Sequence, residues 1–445
     1  YRAISDHYNR TNLNEIWGGR EPGDIAITIS DSGQDIGRDV DIKELERQTR
    51  EAPIVKLASA ILVRAVKSRA SDIHFEPFEK ECYIRLRVDG QLRLVATMQP
   101  VPFRWLVSRI KVMADMNLAE SRLPQDGRIR ISYPDDSGHE REVDFRVSTN
   151  PKLYGEKVVL RILDKSALQL KLDALGFEPD QLVQFRKAIH RPDGIVLVTG
   201  PTGSGKTTTL YSALQELHKV TENISTAEDP VEIEIHGINQ TPVNTAIGYT
   251  FAKILRTFLR QDPDIIMVGE IRDYETVEIA IQAALTGHLV LSTLHANSAL
   301  KAITRLRTLG VEPSLVSTTL RLALAQRLLR KLCLRCKRVE QVPTAELIDL
   351  GFSPEETGQV KTFVAVGCPH CNNTGFRGRN GIYEVVPIGP ELRQAISEHE
   401  DDERLFKEAV RLGMTTLRQA GLKAIKNGWT SVPEVLRVTS SSDDQ

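Results

Sequence analysis

The sequence predicts an α/β protein: a domain built on a largely parallel sheet, preceded by a smaller α+β domain. Three observations carry that prediction. From residue 190 onward, short apolar runs such as Gly194 to Thr199 (GIVLVT) alternate with helical patterns, as strands buried on both faces of a parallel sheet do. Between residues 50 and 165, one helical pattern is followed by clustered period-two segments. Four of the five cysteines form two CxxC pairs, the mark of a separate metal-binding module.

Length and charge narrow the function classes. At about 150 residues per domain, a chain of 445 residues suggests two or three domains. Lys plus Arg number 58 against 59 Asp plus Glu, a net charge of -1. That balance disfavours a dedicated nucleic-acid binder or a polybasic membrane protein. No apolar run reaches the roughly 18 residues that a membrane-spanning helix needs. The chain starts at Tyr1 without a signal-like pattern, and the missing Met suggests truncation. Cytoplasm is the compartment expected for so few cysteines arranged as metal ligands.

Residues 1–50 are polar and aperiodic, and read as a linker or the remnant of a missing N-terminal domain. Residues 51–165 form the α+β domain. Ile54, Leu57, Ile61, Leu62 and Ala65 recur at helical spacing. Cys82, Ile84, Leu86 and Val88 then alternate with polar residues up to Asp89-Gly90, a type I′ hairpin signal, which makes Cys82 a buried core thiol. A second hairpin is expected over 127–149, turning at 134–138, and a further strand over 157–163. Residues 166–188 are expected to link this domain to the α/β domain, 189–445, which includes the cysteine module at 330–380. Within it, strand 264–269, helix 276–287 and strand 288–295 continue the alternation. The Ser/Asp tail at 439–444 reads as disordered.

Gly200, Pro201, Thr202, Gly203, Ser204, Gly205, Lys206 and Thr207 fit GxxxxGK[ST], followed by Thr208. A buried-type strand precedes the motif, and a helix with Leu210, Leu214, Leu217 and Val220 on one face follows. Glycines let backbone N–H groups turn inward around phosphates, and the helix N-terminus adds partial positive charge. Lys206 would bridge the β- and γ-phosphates of ATP, and the Thr207 hydroxyl would bind Mg²⁺. Hydrolysis also needs carboxylates. Glu270 closes strand 264–269 at the carboxyl edge where α/β proteins bind ligands, and Glu228, Asp229 and Glu232 form a second acidic cluster. Spacing leaves open which carboxylate polarises the water. The run FAKILRTFLR places Phe251, Ile254, Leu255, Phe258 and Leu259 on one helical face, with Arg256 and Arg260 one turn apart on the other. Those arginines are either solvated or aimed at a phosphate.

These residues resemble the secretion ATPases of type II secretion systems and type IV pilus assembly. The motif at 200–207, Thr226-Ala227-Glu228-Asp229-Pro230-Val231-Glu232, the DPDIIMVGEIRD segment 262–273, and Thr286-Gly287-His288 through Leu294-His295 look like that family's Walker A, Asp box, Walker B and His box. The segments 68–74 (SRASDIH) and 123–128 (LPQDGR) are similar to its second N-terminal domain. The resemblance implies a RecA-like P-loop ATPase domain behind a PAS-like domain, working as a homo-hexamer on the cytoplasmic face of the inner membrane with platform proteins of the machine. The near-neutral charge and an aromatic content of only 5% speak against a direct nucleic-acid partner. Glu232 would be the catalytic glutamate and Glu270 the Walker B acid; His288 and His295 would lie near the γ-phosphate. The family's composite-site arginines fall at Arg146 and Arg161 and at Arg256, Arg260, Arg272 and Arg305. A nucleic-acid translocase and a non-hydrolysing nucleotide switch are the competing readings.

Cys333/Cys336 and Cys368/Cys371 are separated by residues 337–367, a longer spacer than the roughly 15–20 of a zinc ribbon. Each pair can still set two thiolates along one edge of a Zn²⁺ tetrahedron. Lys331, Arg335, Lys337 and Arg338 would favour ionised thiols, and His370 is an alternative ligand. The resemblance links such a module to type II secretion and pilus-extension motors, not retraction motors. The segment 430–439 (TSVPEVLRVT) resembles the secretion members slightly more.

Overall fold

In the computed structural model, residues 28–29, 52–134, 138–163, 171–398 and 401–439 are described. The expected N-terminal linker, apart from 28–29, the centre of the 134–138 turn, the start of the 166–188 segment and the Ser/Asp tail beyond Thr439 lie outside them. The chain divides into two units, Tyr1–Ala167 and Leu168–Gln445.

The first unit runs β1 (Thr28–Ile29), α1 (Ala52–Lys67), β2 (Ala70–Pro77), β3 (Cys82–Val88), β4 (Gln91–Met98), α2 (Pro100–Met113), β5 (Gln125–Pro134), β6 (Glu140–Lys152) and β7 (Gly155–Leu163). Its strands form one antiparallel sheet in the order β1-β5-β6-β7-β2-β3-β4. The helical spacing of α1 gives one apolar face: Ile54, Leu57, Ile61 and Leu62 share a core with Ile73, Phe75, Ile84, Leu86 and Leu106. Cys82 is buried in that core. Asp89 and Gly90 both take positive φ (48° and 84°), the backbone a type I′ turn demands.

The second unit begins with α3 (Pro179–Ile189), β8 (Gly194–Thr199), α4 (Lys206–Leu217), β9 (Ile224–Glu228), β10 (Asn239–Pro242), α5 (Phe251–Phe258), β11 (Ile265–Val268), α6 (Tyr274–Leu285) and β12 (Leu289–Leu294). It continues through α7 (Ala299–Thr308), α8 (Pro313–Thr319), β13 (Leu320–Leu332), β14 (Arg338–Glu340), α9 (Thr344–Leu350), α10 (Pro354–Thr357), β15 (Thr362–Val364) and β16 (Phe376–Pro387). Helices α11 (Pro390–Ser397), α12 (Asp402–Arg411), α13 (Leu417–Lys426) and α14 (Val432–Thr439) complete it. The main sheet has the order β10-β9-β11-β12-β8-β13-β16, parallel throughout except for the β13–β16 pair. Both faces are covered, which is why β8 is apolar along its length: Ile195 and Leu197 enter one core, Val196 and Val198 the other.

Three expectations need correcting. Part of the segment expected as a connector is α3, whose Phe185 and Ile189 are fully buried; its apolar stripe needs a core partner and finds one beside β8. Helix α4 stops at Leu217 because His218 turns to extended backbone, so Val220 stands fully exposed instead of facing the core. Helix α5 ends at Phe258, which leaves Arg260 just past its C-terminus. Among the described residues, no helix is long and apolar enough to cross a membrane.

Candidate active site

The phosphate loop leaves the carboxyl end of β8, a central strand, and feeds α4. Gly200, Gly203 and Gly205 all have positive φ, 146°, 79° and 92°, so L side chains would strain the loop. A Cβ on Gly200 would sit 2.6 Å from both the Gln326 carbonyl oxygen and Ser204 Oγ, filling the cradle. Ser204 Oγ is buried without a partner, a donor that a phosphate oxygen would satisfy. Lys206 Nζ donates to the carbonyls of Gly200 and Pro201 at 2.8 and 3.1 Å. Burial lowers its pKa, opposed by the charge of Glu270 and assisted by that of Arg327. Orphaned hydroxyl, open cradle and desolvated cation all fit a nucleotide phosphate. Thr207 is exposed one residue further on. Pro201 and Thr202 are exposed on the loop, and Thr208 has its carbonyl capped by Ser212 Oγ at 2.8 Å.

Glu270 follows β11 at the same sheet edge. Its carboxylate accepts from Arg272 and lies 3.2 Å from His295 Nε2. Burial pushes the Glu270 pKa up, but the Arg272 hydrogen bond and the charges of Arg272 and His295 outweigh it and hold the group below the usual range. Arg272 also approaches Asp229 at 3.5 Å, tying the acidic cluster after β9 to the carboxylate after β11. Glu228 is buried and accepts from Thr226 Oγ1 at 2.5 Å, Gln240 Nε2 at 3.0 Å and the Tyr211 hydroxyl. Tyr211 in turn accepts from the Glu232 backbone N–H at 3.3 Å. A residue of the phosphate-loop helix therefore fixes the backbone from which Glu232 projects.

Other candidates are placed differently. His288 precedes β12 at the opposite, amino edge of the sheet, one strand length (about 20 Å) from His295. Its Nδ1 faces the Ala283 carbonyl at 2.9 Å and Thr286 Oγ1 at 3.1 Å, closing the end of α6, so within one chain it is not brought to the phosphate loop. Arg256 pairs with Glu275 at 2.7 Å, Arg260 donates to the Arg256 carbonyl at 2.8 Å, and Arg305 is exposed on α7. In the first unit, Arg146 and Arg161 are cross-strand partners on β6 and β7, and Arg161 reaches Asp72 at 3.4 Å.

The profile of the family described as Type II/IV secretion system protein matches residues 47–437. The chain belongs to that family. Its relatives include the Type IV pilus assembly ATPase PilB of Myxococcus xanthus, 50% identical over 423 residues, 93% of this chain and 74% of that protein. Another is the Type II secretion system ATPase E of Vibrio cholerae, 48% identical over 400 residues, 90% of this chain and 78% of that protein. Among solved structures, the pilus retraction motor PilT with bound ADP aligns with a TM-score of 0.53 at 26% identity, covering 85% of this chain and 95% of that one. The Legionella pneumophila ATPase DotB aligns with a TM-score of 0.62 at 22% identity, covering 85% and 94%, a likeness of fold alone.

In this member of the type II/IV secretion family, the cysteine module gathers at the end of β13. All four sulfurs of Cys333, Cys336, Cys368 and Cys371 lie within 4.8 Å of one another. Cys333 and Cys368 are 3.9 Å apart, Cys336 and Cys371 3.8 Å, Cys368 and Cys371 3.7 Å. A zinc ion with bonds of about 2.3 Å sets tetrahedral edges of about 3.8 Å, so the cluster fits Zn²⁺. Burial pushes the Cys336 thiol up to about 12. Burial opposes ionisation of Cys371 too, but N–H groups of Cys368 and Gly375, each 3.2 Å from its sulfur, bring it down to about 6. His370 contacts Arg377 and is not in the cluster. Lys337 is used elsewhere: it donates to the Gly428 carbonyl at 2.8 Å and sits over the Phe363 ring.

Sequence reasoning missed Tyr211, Gln326 and Arg327 at this edge. Gln326-Arg327 is a polar pair inside the apolar run of β13, both buried, and such an interruption is the signal that marks a strand touching a polar site.

Proposed function

We propose that the chain is a translocating ATP hydrolase that drives pseudopilus assembly and protein export in type II secretion. The observation that carries the reading is the convergence of Lys206, the glycine cradle, Glu270 and the Glu228–Glu232 segment on one sheet edge. Phosphoryl transfer to water needs that set: a cation and Mg²⁺ on Thr207 to neutralise charge, a carboxylate to position water, and arginines for the transition state. Glu270, ionised and clamped by Arg272 and His295, suits metal and water contacts. Glu232, with its side chain unengaged by any of the bonds that fix its backbone, suits the catalytic base. Arg146 and Arg161, side by side, are read as a joint phosphate contact, with Arg256, Arg260, Arg272 and Arg305 as the motor-side arginines and His295, more than His288, as the histidine of the site.

The parallel sheet with its phosphate loop after a central strand supports a RecA-like motor domain, 189–445 with a zinc subdomain at 330–380. The antiparallel sheet backed by two helices supports a PAS-like domain over 51–165. Family membership supports a homo-hexamer on the cytoplasmic face of the inner membrane, partnered by platform proteins and not by nucleic acid. Type IV pilus assembly is the second reading, favoured by the 50% identity to the pilus assembly ATPase. Phosphate release tests the enzyme. Lys206→Ala and Glu270→Ala should each abolish it, and unchanged turnover in either would overturn the assignment. Strong stimulation by DNA would instead favour a nucleic-acid motor.

A further inference from the structure

Strand β13 pairs with β8 through Ala325 and Thr199, so the next residue of β13, Gln326, lies beneath the start of the phosphate loop. Two close approaches and one hydrogen bond follow from that register. A Cβ on Gly200 would meet the Gln326 carbonyl oxygen at 2.6 Å. A Cβ on Gly205, the N-cap of α4, would meet Gln326 Nε2 at 2.8 Å. Thr209, wholly buried on the first turn of α4, donates its hydroxyl to Gln326 Oε1 at 2.8 Å. Gln326 itself is 2% exposed, and its backbone carbonyl accepts from Arg327 at 3.1 Å.

Gln326 therefore lies beneath both ends of the loop, its backbone carbonyl where a side chain on Gly200 would stand and its amide where one on Gly205 would stand, and its amide oxygen is bonded to the helix that the loop launches. A buried primary amide is costly unless satisfied, and an apolar residue would suit the rest of β13 as well as Gln does. The amide ties the first turn of α4 to β13 beside the loop whose carbonyls at Gly200 and Pro201 accept from Lys206. We infer that Gln326 is a positioning residue for the nucleotide: it sets the shape of the phosphate loop without touching the phosphates. Arg327 continues the same support by donating to the Asn297 carbonyl at 2.8 Å, two residues after His295.

The inference rests on reading 200–208 as the nucleotide loop, and Lys206→Ala is the control for that reading. The 445-residue chain carrying Gln326→Ala, Gln326→Leu, Thr209→Val or Gln326→Leu with Thr209→Val is titrated with a fluorescent ADP, and steady-state phosphate release is measured. Gln326→Ala and Gln326→Leu should each weaken ADP and raise KM for ATP about tenfold, roughly one well-placed hydrogen bond. Turnover at saturation should stay within about threefold, because the reacting groups remain. The double variant should lose no more than Gln326→Leu alone, since both changes remove one contact. Wild-type affinity in Gln326→Leu would overturn the inference, by showing that volume and not the amide matters. So would additive losses in the double variant. If Lys206→Ala binds and hydrolyses like wild type, the nucleotide-loop reading fails instead.

Discussion

His295 Nε2 lies 3.2 Å from Glu270 Oε2, and Arg272 holds the other oxygen of the same carboxylate. The carboxylate at the end of β11 is thus gripped by the segment after β12 and by its own loop. A guanidinium hydrogen-bonded to an acid favours its charged form, which is why Glu270, held by Arg272 with His295 alongside, stays below the usual carboxylate range despite burial. Removing Arg272 takes away the larger of the two supports. In Arg272→Ala the Glu270 pKa rises, so protonation intrudes at higher pH. The acid limb of the kcat/KM profile should move toward neutral pH, with a smaller move in the same direction for His295→Ala. An unmoved acid limb in Arg272→Ala would separate Glu270 from the hydrolytic step.

Tyr211 offers a second test, because its buried hydroxyl serves two carboxyl-bearing segments at once. Tyr211→Phe keeps the ring and removes only the oxygen. Glu228 keeps Thr226 and Gln240 but loses a donor, and the Glu232 N–H loses its acceptor. The loss should destabilise the fold by about 1–3 kcal/mol, measured by denaturant unfolding. If Glu232 positions the water, kcat should fall several-fold while KM for ATP holds. A lowered melting temperature with kcat intact would make Tyr211 a structural residue alone.

How much of this was legible follows from the physics of each segment. The run GIVLVT is unambiguous because a strand buried on both faces has little room for polar positions, and β8 spans those six residues, Gly194–Thr199. The phosphate loop was readable because its glycines have no alternative chemistry. Strand β13 was not: LRLALAQRLLRKL is built mainly from leucine, alanine, arginine and lysine, all good helix formers. It is extended because β8 and β16 flank it and take up its backbone hydrogen bonds, a tertiary effect no local pattern carries. Gln326 was hidden with it. His288 and His295 were separable by the rule that placed Glu270, since His288 precedes the strand Leu289–Leu294 and His295 follows its carboxyl end.

The cysteine cluster predicts a metal requirement. Metal analysis of folded protein should find about one zinc per chain, the content of a four-thiolate site. Strong chelation or Cys368→Ser should lower the melting temperature, because bare thiols at these separations lose the bonds that hold the two knuckles together. A metal-free preparation that melts like the untreated protein would refute the site.

Glu434 carries the last prediction. It projects from α14, is buried, and takes Arg330 Nη2 at 2.6 Å, Arg330 Nε at 3.0 Å and the Arg330 backbone N–H at 3.1 Å. Arg437, one turn on, donates to it at 2.6 Å, and the Arg330 guanidinium lies 4.1 Å from the Phe376 ring centre. Burial pushes the Glu434 pKa up, yet Arg437 and Arg330 together bring it below its ordinary value. A depressed carboxylate stabilises the fold above its unfolded pKa, and that contribution disappears as pH falls through the folded value. Glu434→Ala should cost about 3–5 kcal/mol at neutral pH, because it strands a buried guanidinium. Arg437→Ala, half-exposed and leaving the Arg330 pair intact, should cost about 1 kcal/mol or less. The difference in stability between wild type and Glu434→Ala should therefore narrow on acidification, as the wild-type carboxylate becomes protonated. Urea unfolding at neutral and acid pH measures it, and a gap that is constant across that range would mean that packing, not charge, ties α14 to β13.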